Sequence, residues 1–299
     1  MSPKLKAYLQ LCRPANLPTA AADIIAGISI SGFFAGLSAF EIPHSNFFPA
    51  LILIMASMFL YAGGVVLNDV FDIEIDKVER PERPIPSGIV PLGKARLFGF
   101  ILLLVGICLA FLIHKTSGFI SVFLAVAILS YDKFAKHHAF LGPLNMGVCR
   151  GLNLLMGISL LNAMGNWPYV LIPVVFIFAV TMVSRGEVHG KNKGNIVLAG
   201  LLYILVLLGV YYLHCVYTGG DLWYLVFLAL FAFMVFRPLI NAYRENSPAN
   251  IKKAVKTGVI SIILLDAAIA VAHSNIIVGL IILLLLPLSM YLAKQFAVT

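Results

Sequence analysis

Ten apolar stretches, each bounded by Gly, Pro or charged residues, occupy most of this 299-residue chain and leave it one kind of fold. They lie near residues 17–40, 47–67, 97–114, 118–131, 143–161, 168–183, 196–217, 222–240, 255–272 and 276–293. Most approach the roughly 20 residues an α-helix needs to cross hydrocarbon, although the fourth and sixth are short. Lipid offers nothing to hydrogen-bond an open backbone, so stretches of this length are read as helices. With 61% hydrophobic and 11% charged residues and a mean hydropathy of +0.99, a soluble domain is excluded. The expectation is all-α: a polytopic membrane helix bundle of nine to ten transmembrane helices, with residues 1–299 as one transmembrane domain.

The basic residues orient that bundle. Under the ten-segment reading, all of the 21 lysines and arginines except Lys115 fall on one side. Positive charge marks the cytoplasmic face, so both termini and the loops 68–96, 132–141, 184–195 and 241–253 are expected there. The net charge of +8 is therefore first a topology signal. It also suits anionic membrane lipid or a diphosphate, and it is no argument for nucleic acid. The four cysteines are widely spaced and suggest neither a zinc site nor a disulfide framework.

One cytoplasmic loop carries unusual chemistry. Directly after the second apolar stretch comes Asn68-Asp69-Val70-Phe71-Asp72-Ile73-Glu74-Ile75-Asp76, which holds four of the chain's 13 acidic residues. On a helix, Asn68, Asp72, Asp76 and Asp69 fall at roughly 0°, 40°, 80° and 100°, while Glu74 falls near 240° and faces away. Three carboxylates on one stripe repel each other unless a cation intervenes. Oxygen-only ligands suit Mg2+, which keeps several waters and bridges carboxylates to phosphates. The plain alternative is a solvated acidic helix end, but carboxylates at a membrane mouth are costly unless used. The run Arg80-Pro81-Glu82-Arg83-Pro84-Ile85-Pro86-Ser87-Gly88 then breaks the helix into turns, and re-entry is expected at Lys94.

Two further polar clusters follow. Tyr131, Asp132 and Lys136 leave the fourth segment, and Asn145, Arg150 and Asn153 share a broad side of the fifth. Arg150 lies inside the span, where a cation faces the bundle interior with an anionic partner; Asp132 is one candidate, and snorkelling is the other reading. Asp23 and Asp266 are intramembrane acids, read as helix–helix hydrogen-bonding devices rather than catalytic groups.

The first acidic motif, with its Arg-Pro-Ile-Pro-Ser-Gly extension, resembles the aspartate-rich motif of the UbiA superfamily of intramembrane prenyltransferases. It is nearest the branch with chlorophyll synthases, digeranylgeranylglyceryl phosphate synthases and Ebo-cluster UbiA-like proteins. Arg13-Pro14 before the first span and the Tyr131-x-x-x-x-Lys136 element add to the resemblance. It implies nine transmembrane helices around a central cavity open to lipid, in a bacterial or archaeal cytoplasmic membrane. It also implies Mg2+-dependent transfer of an isoprenoid chain from an allylic prenyl diphosphate to a small or lipophilic acceptor, whose identity stays open. Asp69, Asp72 and Asp76 would be catalytic and hold the metal. Asn68, Arg83, Tyr131, Lys136 and Arg150 would bind substrate.

The resemblance also exposes a departure. A second aspartate-rich motif is expected after the sixth segment, yet the stretch 184–195 holds a single acid, Glu187. Glu187 would be a weak metal ligand there, and Arg185, Lys191 and Lys193 would neutralise phosphate oxygens directly. The alternative is a catalytically weakened protein that binds or presents a prenylated lipid. The intact first motif, which a scaffold would not need, favours the enzyme.

Overall fold

The computed structural model describes residues 2–34, 47–187, 190, 192–220 and 222–296. Among them there is no strand. A short helix α1 (Pro3–Leu11) leads into α2 (Leu17–Ile30) and α3 (Phe48–Phe71), and α4 (Ile73–Glu79) is a two-turn extension of α3. Then come α5 (Leu92–Ile113), α6 (Lys115–Ser130), α7 (Leu141–Ile158), α8 (Leu171–Ser184), α9 (Lys193–Tyr217), α10 (Tyr224–Arg244), α11 (Pro248–His273) and α12 (Ile276–Phe296).

Each of the ten apolar segments forms a helix of its own, so α12 is an additional helix and not half of a divided one. Among the described residues, nine helices are long and apolar enough to cross a bilayer; α2, with 14 residues, is not one of them. The end of the first expected segment, 35–40, lies outside the described residues. The two short segments reach membrane length by changing helical pitch. A π-helical turn (Tyr131–Ala135) extends α6, and a 3-10 stretch (Met164–Val170) precedes α8.

The helices run alternately up and down. At one end Arg13 meets Asp69, Lys136 meets Asp72, Arg185 reaches the carbonyls of His138 and Ala139, and Asn192 bonds Asn246. At the other end Asn166 donates to the carbonyl of Ile30, Ser117 pairs with Ser159, and Tyr169 packs on Tyr217. The loops expected to share a face do share one, as the charge partition requires.

Helix α2 is buried along nearly its whole length and α11 without a break from Ser261 to Ala272, and the two form the interior. Large apolar side chains such as Phe100 and Leu104 on α5, Leu201 and Leu208 on α9, and Leu284 on α12 remain exposed, as a lipid-facing surface demands. Packing of α2 on α7 depends on two glycines. A Cβ on Gly27 would stand 2.3 Å from the Leu154 carbonyl oxygen, and one on Gly157 would stand 2.5 Å from that of Ile24. Small residues let membrane helices approach this closely, and the approach sets Asp23 of α2 against Arg150 and Asn153 of α7.

Candidate active site

The acidic stripe sits where α3 ends. Asp72 (φ −90°, ψ 8°) separates α3 from α4, so the stripe is not one uninterrupted helix. The i→i+4 backbone bonds nevertheless continue across it, from Asp72 N to Asn68 O (3.0 Å) and from Asp76 N to Asp72 O (2.8 Å). The expected sidedness therefore survives. Glu74 points outward and, among the described residues, pairs only with exposed Lys77 at 2.8 Å. The turns beyond Glu79 close on Pro91, and α5 starts at Leu92, two residues before the expected re-entry.

The repulsion among the three aspartates is relieved from within. Asp69 and Asp76 are 6% and 2% exposed, burial that an ionised carboxylate tolerates only when paired. Arg83 bonds both, at 3.2 Å to Asp69 and 2.7 Å to Asp76. Arg13 bonds Asp69 at 2.6 Å, Arg80 lies 3.9 Å from Asp76, and Lys136 bonds Asp72. Arg13 reaches its partner from a left-handed backbone (φ 46°), a conformation costly for a residue with a Cβ and frequent at functional sites. Sequence reasoning recorded Arg13 only as part of a motif, since its partner lies 56 positions away.

Beneath this mouth lies a cavity of about 250 Å³. Its wall includes Arg13, Asn68, Tyr131 and Asp132 toward the charged end, and Ser57, Tyr61, Arg150 and Asn153 deeper in the bundle. Leu124, Ile128 and Met146 supply apolar wall. Asn68 donates to Asp132 at 2.9 Å. Arg150 pairs with Asp23 at 2.8 Å, not with Asp132; it also donates to Thr19 at 2.7 Å and lies 5.4 Å from the Tyr61 ring centroid. Asn153 donates to the same Asp23 oxygen at 2.8 Å and accepts from Ser57 at 2.7 Å. Asp23 thus serves as the helix–helix device expected of it, and Arg150 is both its partner and a cavity wall.

The stretch 184–195 is built differently. Arg185 donates through Nη1 to the carbonyls of His138 and Ala139, 3.1 Å each. Lys193 stands over the Tyr243 ring at 5.3 Å. Asn192 donates to the carbonyls of Met182 (3.2 Å) and Val183 (2.9 Å), and Asn195 bonds Asn192 at 2.6 Å. Lys191 lies outside the described residues. Burial lifts the Glu187 carboxyl above the usual carboxylate range, against the opposing pull of Lys252 and Arg80. Among the described residues, Arg185, Glu187 and Lys193 make no ion pair with Asp69, Asp72 or Asp76.

The donor set suits a hard cation. All candidate ligands at the mouth are oxygens, and Asp132 Oδ2 is buried without a hydrogen-bond partner. Among the described residues, no three His, Cys, Asp or Glu side chains form a ready cage. Mg2+ does not require one, since it is commonly held by one or two carboxylates together with substrate phosphates and water.

Fold and site together define a polytopic membrane protein with an interior cavity under a charged, oxygen-rich mouth. Its membership follows from similarity: the UbiA prenyltransferase family profile matches residues 29–184, and the chain belongs to that family. A digeranylgeranylglyceryl phosphate synthase of Sulfurisphaera tokodaii is 33% identical over 187 residues, covering 62% of this chain and 63% of that relative's length. A solved digeranylgeranylglyceryl phosphate synthase structure superposes with a TM-score of 0.70 at 25% identity, covering 91% of this chain and 99% of the other. A UbiA homologue from Archaeoglobus fulgidus bound to DMAPP and Mg2+ superposes with a TM-score of 0.64 at 14% identity, covering 89% and 99%.

Proposed function

We propose that this chain transfers an isoprenoid group from an allylic prenyl diphosphate to a lipophilic acceptor, releasing diphosphate, with Mg2+ as cofactor and with its charged loops on the cytoplasmic face. The observation that carries the reading is the placement of paired carboxylates and cations at the mouth of an interior cavity. The similarity to a digeranylgeranylglyceryl phosphate synthase favours a glycerophosphate-type acceptor over an aromatic or tetrapyrrole one.

The chemistry needs a diphosphate held firmly enough to leave. Arg13, Arg83 and Lys136 are bonded to carboxylates in the absence of substrate. An arriving diphosphate competes for these cations, and charge-assisted bonds from Arg are strongest when bidentate on phosphate. Carboxylates so released, Asp72 first because it is the least buried of the three, become available to metal. The bound metal supplies Lewis-acid neutralisation of charge on the departing diphosphate. Tyr131 on the cavity wall faces the region where an allylic cation develops, and its ring stabilises such charge. The apolar wall at Leu124, Ile128 and Met146 keeps water from that cation. Arg150, with the charge of Asp23 balancing it, gives the deeper wall a polar lining beside which an acceptor head group would sit.

Purified protein incubated with an allylic diphosphate, Mg2+ and each of three acceptors (aromatic, tetrapyrrole acid, glycerol-phosphate ether) tests the reading by mass spectrometry of the products. A prenylated product with only the glycerol-phosphate ether supports it in full. Tight donor binding with no product from any acceptor contradicts it in favour of a lipid-presenting protein.

A further inference from the structure

We propose that Asp132 is a metal-side ligand of the diphosphate site, standing with Asp72 in the role for which the stretch 184–195 supplies no aspartate. The inference rests on the donor-binding reading above and extends it to a residue outside both aspartate-rich stretches. Asp132 lies in the π-helical turn that closes α6, a feature that re-aims side chains and recurs at functional sites. It is 4% exposed and forms part of the cavity wall.

Its two oxygens are treated differently. Oδ1 accepts the Asn68 amide at 2.9 Å, whereas Oδ2 is buried with no donor. The other buried carboxylates of the mouth have bonded cations: Asp69 has Arg13 and Arg83, and Asp76 has Arg83. Among the described residues Asp132 takes part in no ion pair. A buried carboxylate oxygen left without a partner is costly, so the position implies a ligand that arrives later.

The surroundings select a cation for that ligand. Asn68, through which Asp132 is fixed, is one helical turn from Asp72. Lys136, which bonds Asp72, is four residues beyond Asp132. Asp132 and Asn68 border the cavity and Asp72 stands one turn beyond Asn68, so oxygen ligands come from two different segments with no nitrogen or sulfur ligand required. This matches the few protein oxygens plus phosphate that Mg2+ prefers. Asn68 acts here as a positioning residue, holding Asp132 through its amide.

The test titrates the full chain, purified in detergent, with Mn2+ in the presence of inorganic diphosphate and follows the free-ion signal by electron paramagnetic resonance. Asp132→Asn keeps a carbonyl oxygen to accept the Asn68 amide while removing the charge. It is expected to weaken Mn2+ binding by about tenfold or more, the size of one lost charged ligand contact, whereas Glu187→Gln stays within about twofold of the starting protein. Unchanged Mn2+ affinity in Asp132→Asn overturns the proposal, because Oδ2 is then served by water alone. If Asp72→Asn still loses binding in that case, the donor-binding reading stands without Asp132. Absence of Mn2+-diphosphate binding in the unmodified protein overturns both. Should Asp132→Asn not fold, Asp132→Ser is judged by the same criteria.

Discussion

Two polar loops share one end of this bundle, and they use their polar residues in opposite ways. In the stretch after α3, side chains bond side chains: Asp69, Asp72 and Asp76 pair with Arg13, Arg83 and Lys136 across three separate segments. In the stretch after α8, side chains bond backbone: Arg185, Asn192 and Asn195 are committed to carbonyls or to each other. Exchangeable ion pairs can trade partners with a diphosphate and a metal. The Asn192 and Asn195 bonds to the last carbonyls of α8 cannot do so without loosening the turn they hold, and Arg185 ties this stretch to the carbonyls of the loop before α7. On the reading proposed above, the first loop binds and the second holds shape.

The largest effect that could break this contrast comes from the first loop. Asp72→Asn is expected to lower donor turnover by about a hundredfold or more, on the scale of losing one preorganised transition-state contact. Its thermal unfolding should change little, because Asp72 is the most exposed of the three paired aspartates. A steady-state assay alongside a melting curve separates the two.

Arg83→Met is expected to cost about 3–5 kcal/mol of stability, since it takes from buried Asp76 its one close cation, leaving Arg80 at 3.9 Å, and leaves Asp69 with Arg13 alone. Adding Asp76→Asn in the same chain should recover part of the loss. Denaturation in mixed micelles reads both variants, and an additive double mutant would refute the pairing.

In the second loop the order reverses. Asn192→Ala removes two carbonyl bonds and should destabilise by about 1–3 kcal/mol, while donor affinity changes less than about twofold. Lys193→Ala leaves donor affinity similarly unchanged, because the ammonium stands over Tyr243 and not at the cavity. A tenfold loss of diphosphate affinity in either would restore a ligand role to this loop.

At the foot of the scale, Glu74→Ala is expected to stay within about 0.5 kcal/mol in stability and to leave turnover intact. Its ion pair with Lys77 is an exposed one. Turnover falling as far as in Asp72→Asn would mean that the acids act as a diffuse charge and not as a directed face.

What the sequence made legible follows from how far each signal reaches along the chain. Ten hydrophobic runs and a one-sided charge pattern are local or additive properties, and they carried the helix count and the shared face of the loops. The sidedness of Asp72 against Glu74 is a helical phase and was equally readable. Partners across helices were not. Arg150 meets Asp23, 127 positions earlier, only because Gly27 and Gly157 let α2 and α7 touch, and periodicity does not say which helices are neighbours. Asp132 stood out as an acid beside Tyr131, but its orphan oxygen depends on a π turn and on Asn68 from α3. In the second loop, composition does not show that Arg185 bonds the carbonyls of His138 and Ala139 or that Lys193 stands over Tyr243.

The central claim is that the donor and its metal are held from the first loop without acids from the second. Calorimetric titration of an allylic diphosphate in Mg2+ tests it directly in three proteins: unmodified, Asp72→Asn and Glu187→Gln. The account predicts that affinity falls at least about tenfold in Asp72→Asn and stays within about twofold in Glu187→Gln. Equal losses in the two variants would contradict it.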